Sequence, residues 1–314
     1  MRVVITDQVF GGIEIPRSIL EPFGAELIEA PSTDEDTLVA LAEHADALLV
    51  CYANVNARVV EAAARGGCRI ISRTGIGVDN IDLDAAARAG ITVTNVPDYC
   101  LDEVADHTMA LLLAAARQIT PAATDVRAGG WTVPHGKIRR IAGQRLALLG
   151  FGRIGRRVAD RSLPFGLEVV VYDPFITDAP PGTLRVESLE AAVADADFIS
   201  LHMPLSPATH HLIDDALISA MNRAPLVLNT SRGGLIDLDA ALGALDDGRL
   251  GGLAIDVTEN EPPEAESLLR THPRVLLTPH MAFYSAEATA DLQARAAEEV
   301  VRAFRGESPR SRVQ

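Results

Sequence analysis

Two doubly wound α/β domains, each built on a parallel sheet, are the fold this sequence predicts. Three observations carry that expectation: a length of 314 residues, an alternation of β-rich and helical runs that occurs twice, and one long Ala/Leu-rich run between the two series. A chain of this length exceeds one ordinary hydrophobic core. Strand–helix alternation means parallel strands joined by right-handed crossovers. In the first series "RVVIT" (2–6), "ALLV" (47–50), "RIIS" (69–72) and "ITVT" (91–94) read as strands, and segments 34–45, 56–65 and 82–90 between them have helical spacing. Leu101 to Arg117 then predicts a helix of roughly four or five turns, taken as the hinge between domains. The alternation restarts with "RLALLG", "EVVVYD", "FISLH", "LVLNTS", "GLAID" and "VLLTP". A last helix, roughly 285–305, follows the final strand and has the length to reach back to the first domain. The polar tail "GESPRSRVQ" is the one segment expected to be disordered.

Composition narrows the function. A formal net charge of −15 argues against nucleic acid or an anionic membrane as the main partner, since both reward excess Lys and Arg. It leaves open a small anionic substrate held by local cations. Cys51, Cys68 and Cys100 are widely spaced and form no CxxC pair, which disfavours zinc and redox motifs and fits a reducing cytoplasm. The opening "MRVVITDQVF" lacks a signal-peptide pattern, and the apolar run 109–116 is far short of the ~20 residues a membrane span needs. A cytoplasmic location is expected.

The most specific motif is "LALLGFGRIGRRVA", with Gly150, Gly152 and Gly155 in the G-x-G-x-x-G arrangement. An apolar strand enters it, a helix leaves it, and a second strand ends in Asp173, which makes it the dinucleotide-binding fingerprint of a Rossmann domain. Gly150 makes the tight turn, Gly152 admits the backbone to a pyrophosphate, and Gly155 lets helix and strand pack closely. The helix start, with Arg153 and Ile154, offers N–H groups and a partial positive charge to the phosphates. Asp173 would accept hydrogen bonds from the adenosine ribose and repel a 2′-phosphate, so NAD is expected over NADP.

Ligands of open α/β sheets bind beyond the carboxyl ends of the strands. His202, Met203, Pro204 and Thr209 follow "FISL"; Thr230, Ser231 and Arg232 follow "LVLN"; Asp256 and Glu261 follow "GLAI"; His280 follows "VLLTP". The set suits hydride transfer at a carbon bearing oxygen. His280 would exchange the proton, Glu261 would favour its charged form, and Arg232 would grip a carboxylate and polarise the carbonyl. Asp256 either binds the nicotinamide carboxamide or caps a turn. His210 and His211 lack a nearby acidic or cysteine ligand set, so they read as loop and helix start and no metal is expected. His107, inside the long helix, reads as structural or interfacial.

"GFGRIG…D", "NTSRGGLID", "AIDVTENEPP" and "TPHMAFYS" resemble, in order, the signature blocks of the NAD-dependent D-isomer-specific 2-hydroxyacid dehydrogenases. "ISRTGIGVDNIDLDAAARAGI" and "NVPDYCLDEVADHTMALLL" resemble that family's substrate-domain end and linker helix. The closer resemblance is to the branch containing the C-terminal binding proteins, which are NAD(H)-binding corepressors, and their bacterial relatives. It implies that Arg232, Glu261 and His280 are catalytic and that the loop Thr74 to Gly77, with Gly75, Ile76 and Gly77, binds the substrate carboxylate through backbone amides. It also puts Ile76 near the cofactor and makes Arg73 a substrate arginine. Phe283 stands where that branch has tryptophan, so substrate preference does not carry over. The resemblance further implies a flavodoxin-like substrate domain, residues 1–98 plus 285–314, and an NAD-binding domain, 99–284. A cleft that closes on NAD and a 2-oxo acid, and a homodimer, are expected with it.

The expected activity is reversible reduction of a 2-oxo acid to a D-2-hydroxy acid. 3-Phosphoglycerate dehydrogenase is the alternative within the class, and it needs cations for a phosphate, for which Arg73, Arg139 and Arg140 are the candidates. A non-catalytic NAD(H)-sensing binding protein is the alternative outside it.

Overall fold

Every strand pairing in the computed structural model, which describes residues 1–133 and 138–313, is parallel, and the strands form two separate sheets. The chain divides accordingly into two units, Met1–Tyr99 with Ser285–Gln314 and Cys100–Tyr284.

The first unit holds β1 (Arg2–Ile5), β2 (Glu26–Glu29), β3 (Ala47–Val50), β4 (Ile70–Arg73) and β5 (Thr92–Thr94), in the order β2-β1-β3-β4-β5. β3 and β4 are buried along their whole length, as strands covered on both faces must be. Successive side chains serve opposite faces. Val3 and Ile5 pack with Leu292, Ala296 and Val300 of the Ala286–Phe304 helix, while Val4 packs with Val59, Ala62 and Ala63 of the Ala57–Gly66 helix. The last long helix is thus part of this unit's core.

The second unit holds β6 (Arg145–Leu149), β7 (Glu168–Tyr172), β8 (Thr183–Arg185), β9 (Phe198–Leu201), β10 (Leu226–Asn229), β11 (Gly252–Ile255) and β12 (Val275–Leu277), in the order β12-β11-β10-β9-β6-β7-β8. The chain reverses direction across the sheet between β6 and β9, which creates the crevice where such sheets take dinucleotides. The Leu101–Ala116 helix lays Met109 and Leu112 over Leu146, Leu148, Leu228 and Ala254, so the run read as a hinge also covers one face of this sheet.

Three features were not expected from the sequence. β2 ("ELIE") and β8 ("TLR") are edge strands, short and half-exposed, and carry no apolar run. The Ile119–Arg127 helix has no buried side chain and so no apolar stripe. The polar tail, expected to be disordered, is instead tied to the β5 edge. Thr94 bridges Arg312 in antiparallel fashion, Val313 N donates to Val93 O (2.9 Å), and Asn95 N donates to Ser311 O (3.2 Å). An open strand edge offers unpaired backbone groups, and these outweigh the tail's polar composition. No helix among the described residues is long and apolar enough to cross a membrane.

Candidate active site

The turn after β6 occupies the reversal point. Gly150 has φ +95°, and a Cβ there would stand 2.4 Å from the His202 carbonyl oxygen. A Cβ on Gly155 would stand 2.5 Å from the Gly150 carbonyl oxygen. Both glycines are therefore required by the fold itself. Gly152 differs, because a Cβ there meets nothing within 4 Å. Gly152 is exposed and is the N-cap of the Arg153–Ser162 helix, which no side chain caps. Uncapped N–H groups under open space are the setting a pyrophosphate requires, so the residues present fit the dinucleotide. At the end of β7 Asp173 accepts from Phe151 N (2.7 Å) and Phe175 N (2.8 Å), which fixes the acid beside the turn. His202 bonds Ser200 Oγ through Nε2 (2.9 Å), and desolvation pushes its pKa down to about 4, so it is neutral. Met203 packs onto the core, and Thr209 closes the following loop by donating to Pro204 O (2.7 Å).

Beyond β10 the loop is shaped by buried Asn229, which accepts from Ser231 N (2.9 Å) and donates to Arg232 O (2.8 Å). Ser231 Oγ donates to Leu201 O (2.7 Å), and Arg232 Nη1 donates to Ser231 O (2.8 Å). The next residue abuts the loop after β11. A Cβ on Gly233 would lie 2.0 Å from the Thr258 carbonyl carbon and 2.2 Å from Glu259 N. In that second loop Glu261 Oε1 accepts from Thr258 N (3.0 Å), and Oε2 lies 2.6 Å from His280 Nδ1. Burial alone would raise the Glu261 pKa. The His280 bond and charge, the Thr258 N–H and the Arg232 charge together outweigh burial and hold the carboxyl below the usual carboxylate range. The three side chains from separate strand ends are thus brought together.

His280 adopts φ +50°, uncommon for a residue with a Cβ. Asp256, buried at the end of β11, holds that conformation from both sides. Its carbonyl accepts from His280 N (2.8 Å), and its carboxylate accepts from Thr278 Oγ1, Met281 N (3.0 Å) and Ala282 N (2.8 Å). These contacts make Asp256 the cap of the turn. Phe283 meets the His280 ring edge-on, with centroids 6.1 Å apart.

In the first unit Arg73 is buried; its Nη1 donates to Thr74 O, and its guanidinium lies 5.8 Å from the centre of the Tyr52 ring. Gly75 O accepts from Val96 N (3.0 Å) and Ile76 O from Asn95 Nδ2 (2.7 Å), which pins the loop through its carbonyls. Among the described residues the Ile76 and Gly77 N–H groups make no hydrogen bond. Asp7 was not among the sequence candidates. It accepts from Cys51 N (3.0 Å) and Tyr52 N at the end of β3.

No acidic ligand set was expected beside His210 and His211, yet Glu259 comes within 3.4 Å of one and 3.5 Å of the other, with Asp237 3.9 Å from His211. The acid arrives from the β11 loop, 48 or more positions away, which local spacing does not reveal. The two rings stack 3.8 Å apart, 25° from parallel, so an ion in the plane of one ring is out of the plane of the other.

Comparison with known proteins bears on this arrangement. Residues 109–282 match the family model described as D-isomer specific 2-hydroxyacid dehydrogenase, NAD binding domain. The chain is 35% identical over 308 residues to D-3-phosphoglycerate dehydrogenase 2, chloroplastic, of Arabidopsis thaliana, covering 98% of this chain and 49% of that protein. It spans about half the length of the curated relatives it matches. The TT0316 protein of Thermus thermophilus has a similar structure, with TM-score 0.91, 33% identity and all of both chains covered. So does D-lactate dehydrogenase of Escherichia coli, with TM-score 0.85, 28% identity and the same coverage. The nucleotide turn, the sheet order and the matched domain agree: this chain belongs to the D-isomer-specific 2-hydroxyacid dehydrogenase family.

Proposed function

We propose that the protein reduces a 2-oxo acid to the D-2-hydroxy acid, and catalyses the reverse oxidation, with Arg232, Glu261 and His280 as its working groups. The single observation that carries this reading is the 2.6 Å contact between His280 Nδ1 and Glu261 Oε2. A carboxylate only accepts, so Nδ1 carries a proton and Nε2 is the nitrogen that gains or loses one. Bound NAD(H) supplies or receives the hydride at the substrate's oxygen-bearing carbon. In reduction His280 Nε2 donates its proton to the carbonyl oxygen; in oxidation it accepts that proton from the hydroxyl. Glu261 stabilises the imidazolium by charge, and Arg232 binds the substrate carboxylate and polarises the carbonyl. In the first unit the Ile76 and Gly77 amides are donors suited to an anionic group. Asp173 at the end of β7 favours NAD over NADP. A homodimer is part of the same proposal.

Oxidation of 3-phosphoglycerate is the second reading, favoured by the name of the Arabidopsis relative. Against it, Arg139 is exposed and 3.9 Å from Asp197. Loss of NADH absorbance at 340 nm with glyoxylate, hydroxypyruvate, pyruvate, 2-oxoglutarate and 3-phosphohydroxypyruvate separates the two. His280→Ala is expected to lower kcat by about 10²–10⁴ while NADH still binds, the range of a lost general acid. Near-normal turnover in that variant removes His280 from the chemistry. Tight NADH binding with no turnover of any acid points to the non-catalytic sensor instead.

A further inference from the structure

The Leu101–Ala116 helix sends two consecutive side chains to two different strand ends. His107 Nε2 lies 3.0 Å from Thr278 Oγ1, just past β12, and Thr108 Oγ1 lies 2.9 Å from Thr230 Oγ1, just past β10. Valence fixes the direction of both bonds. Thr278 has one hydroxyl proton and gives it to Asp256 Oδ1, because a carboxylate only accepts. Thr278 must then accept from His107, whose Nε2 carries a proton in the Nε2–H tautomer and in the imidazolium alike. Thr108 in the same way gives its proton to Val104 O (2.8 Å), so Thr230 donates to Thr108.

Each chain of bonds ends on a loop that carries a working group. Through Thr278, His107 reaches the Asp256 carboxylate, which receives the Met281 and Ala282 N–H groups; His107 Nε2 is itself 3.6 Å from Asp256 Oδ1. That carboxylate flanks His280, whose left-handed backbone is unfavourable for a residue with a Cβ and persists only if its surroundings impose it. Through Thr230, Thr108 fixes the residue two before Arg232. One turn of one helix therefore clamps the loops of the acid/base group and of the carboxylate-binding group.

We propose that His107 and Thr108 are positioning residues that hold the His280 and Arg232 loops in register, His107 by way of Thr278 and Asp256, Thr108 by way of Thr230. The inference rests on the function proposed above. It is tested by steady-state kinetics on the full chain, using the best 2-oxo acid of the panel, with His107→Ala and His107→Gln, and with Thr108→Val and Thr108→Ser. Misplacing a catalytic group by about 1 Å can cost about a hundredfold, so His107→Ala and Thr108→Val are each expected to lower kcat about ten- to a hundredfold. The fall should be in kcat and not in KM for NADH, because neither residue lies at the glycine turn. Gln at 107 keeps an N–H for Thr278, and Ser at 108 keeps the hydroxyl, so both are expected to restore most of the rate. Wild-type kcat in His107→Ala overturns the inference, as does His107→Gln as impaired as His107→Ala, which would make ring packing the cause. If His107→Ala fails to fold, the Thr108→Val and Thr108→Ser pair decides by the same criteria. Absence of turnover in the wild-type chain with every acid overturns the proposed function, and this inference with it; normal wild-type turnover indifferent to all four changes overturns the inference alone.

Discussion

The carboxyl edges of the two sheets obey the same rule and are built differently. In the first unit the side chains past the strands bond close to home: Asp7 takes the Cys51 and Tyr52 amides, and Arg73 Nη1 donates to the next carbonyl. In the second, each loop is braced by another. Gly233 touches the Thr258–Glu259 peptide, Asp256 holds the turn around His280, and Glu261 faces that histidine. An edge whose loops rest on one another fixes several side chains against a single small reactant. An edge whose loops close on themselves offers backbone amides, which suit binding more than proton transfer.

The sharpest way to break this contrast is Gly233→Ala. The added methyl meets backbone at 2.0–2.3 Å, so one of the two loops must move. Overpacking of this kind costs about 1–3 kcal/mol, visible as a lower unfolding midpoint. Because the displaced loop carries Glu261, kcat/KM is expected to fall by about a hundredfold. Wild-type kinetics would mean the loops are not mutually braced.

A milder test is Glu261→Gln, expected to lower kcat about ten- to a hundredfold through loss of a charge-assisted bond. It also carries a pH signature with a definite sign. The folded carboxyl titrates below its ordinary value, so its contribution to stability is complete above about pH 4.3 and is lost as pH falls through the lower folded value. The gap in melting temperature between wild type and variant should be open at pH 7 and should narrow as pH falls below the ordinary carboxylate range. A gap that does not change with pH would contradict a depressed carboxyl.

The smallest effect is expected in the first unit. Asp7→Asn replaces a two-oxygen acceptor by a single one and leaves one of the Cys51 and Tyr52 amides unpaired, at a cost of about 1–3 kcal/mol. NADH affinity measured by fluorescence titration should not change. A large loss of NADH binding would show that the two edges are not independent in this respect.

How much of this was legible beforehand differs by element. Buried strands such as β3, β4 and β6 announced themselves as apolar runs bounded by turn residues, whereas β2 and β8, half-exposed at sheet edges, did not. The glycine turn was readable because each glycine answers a local demand, a positive φ at Gly150 or a backbone contact at Gly155. The strand-end rule brought Arg232, Glu261 and His280 forward as candidates. Asp7, Thr278 and the acid beside His210 were not readable, because an ordinary Asp, Thr or Glu acquires its role only from a partner elsewhere in the chain.

The residues in order determined the alternation of strands and helices, the parallel sheets and the point where the nucleotide turn lies, since hydrophobic period and glycine geometry act over a few neighbouring positions. Tertiary structure alone decided which side chains meet. His280 finds Glu261 across 19 positions, Asp256 reaches Ala282 across 26, and His107 reaches Thr278 across 171. Such distances are set by the packing of crossovers against a twisted sheet, which brings strand ends far apart in the chain to one edge.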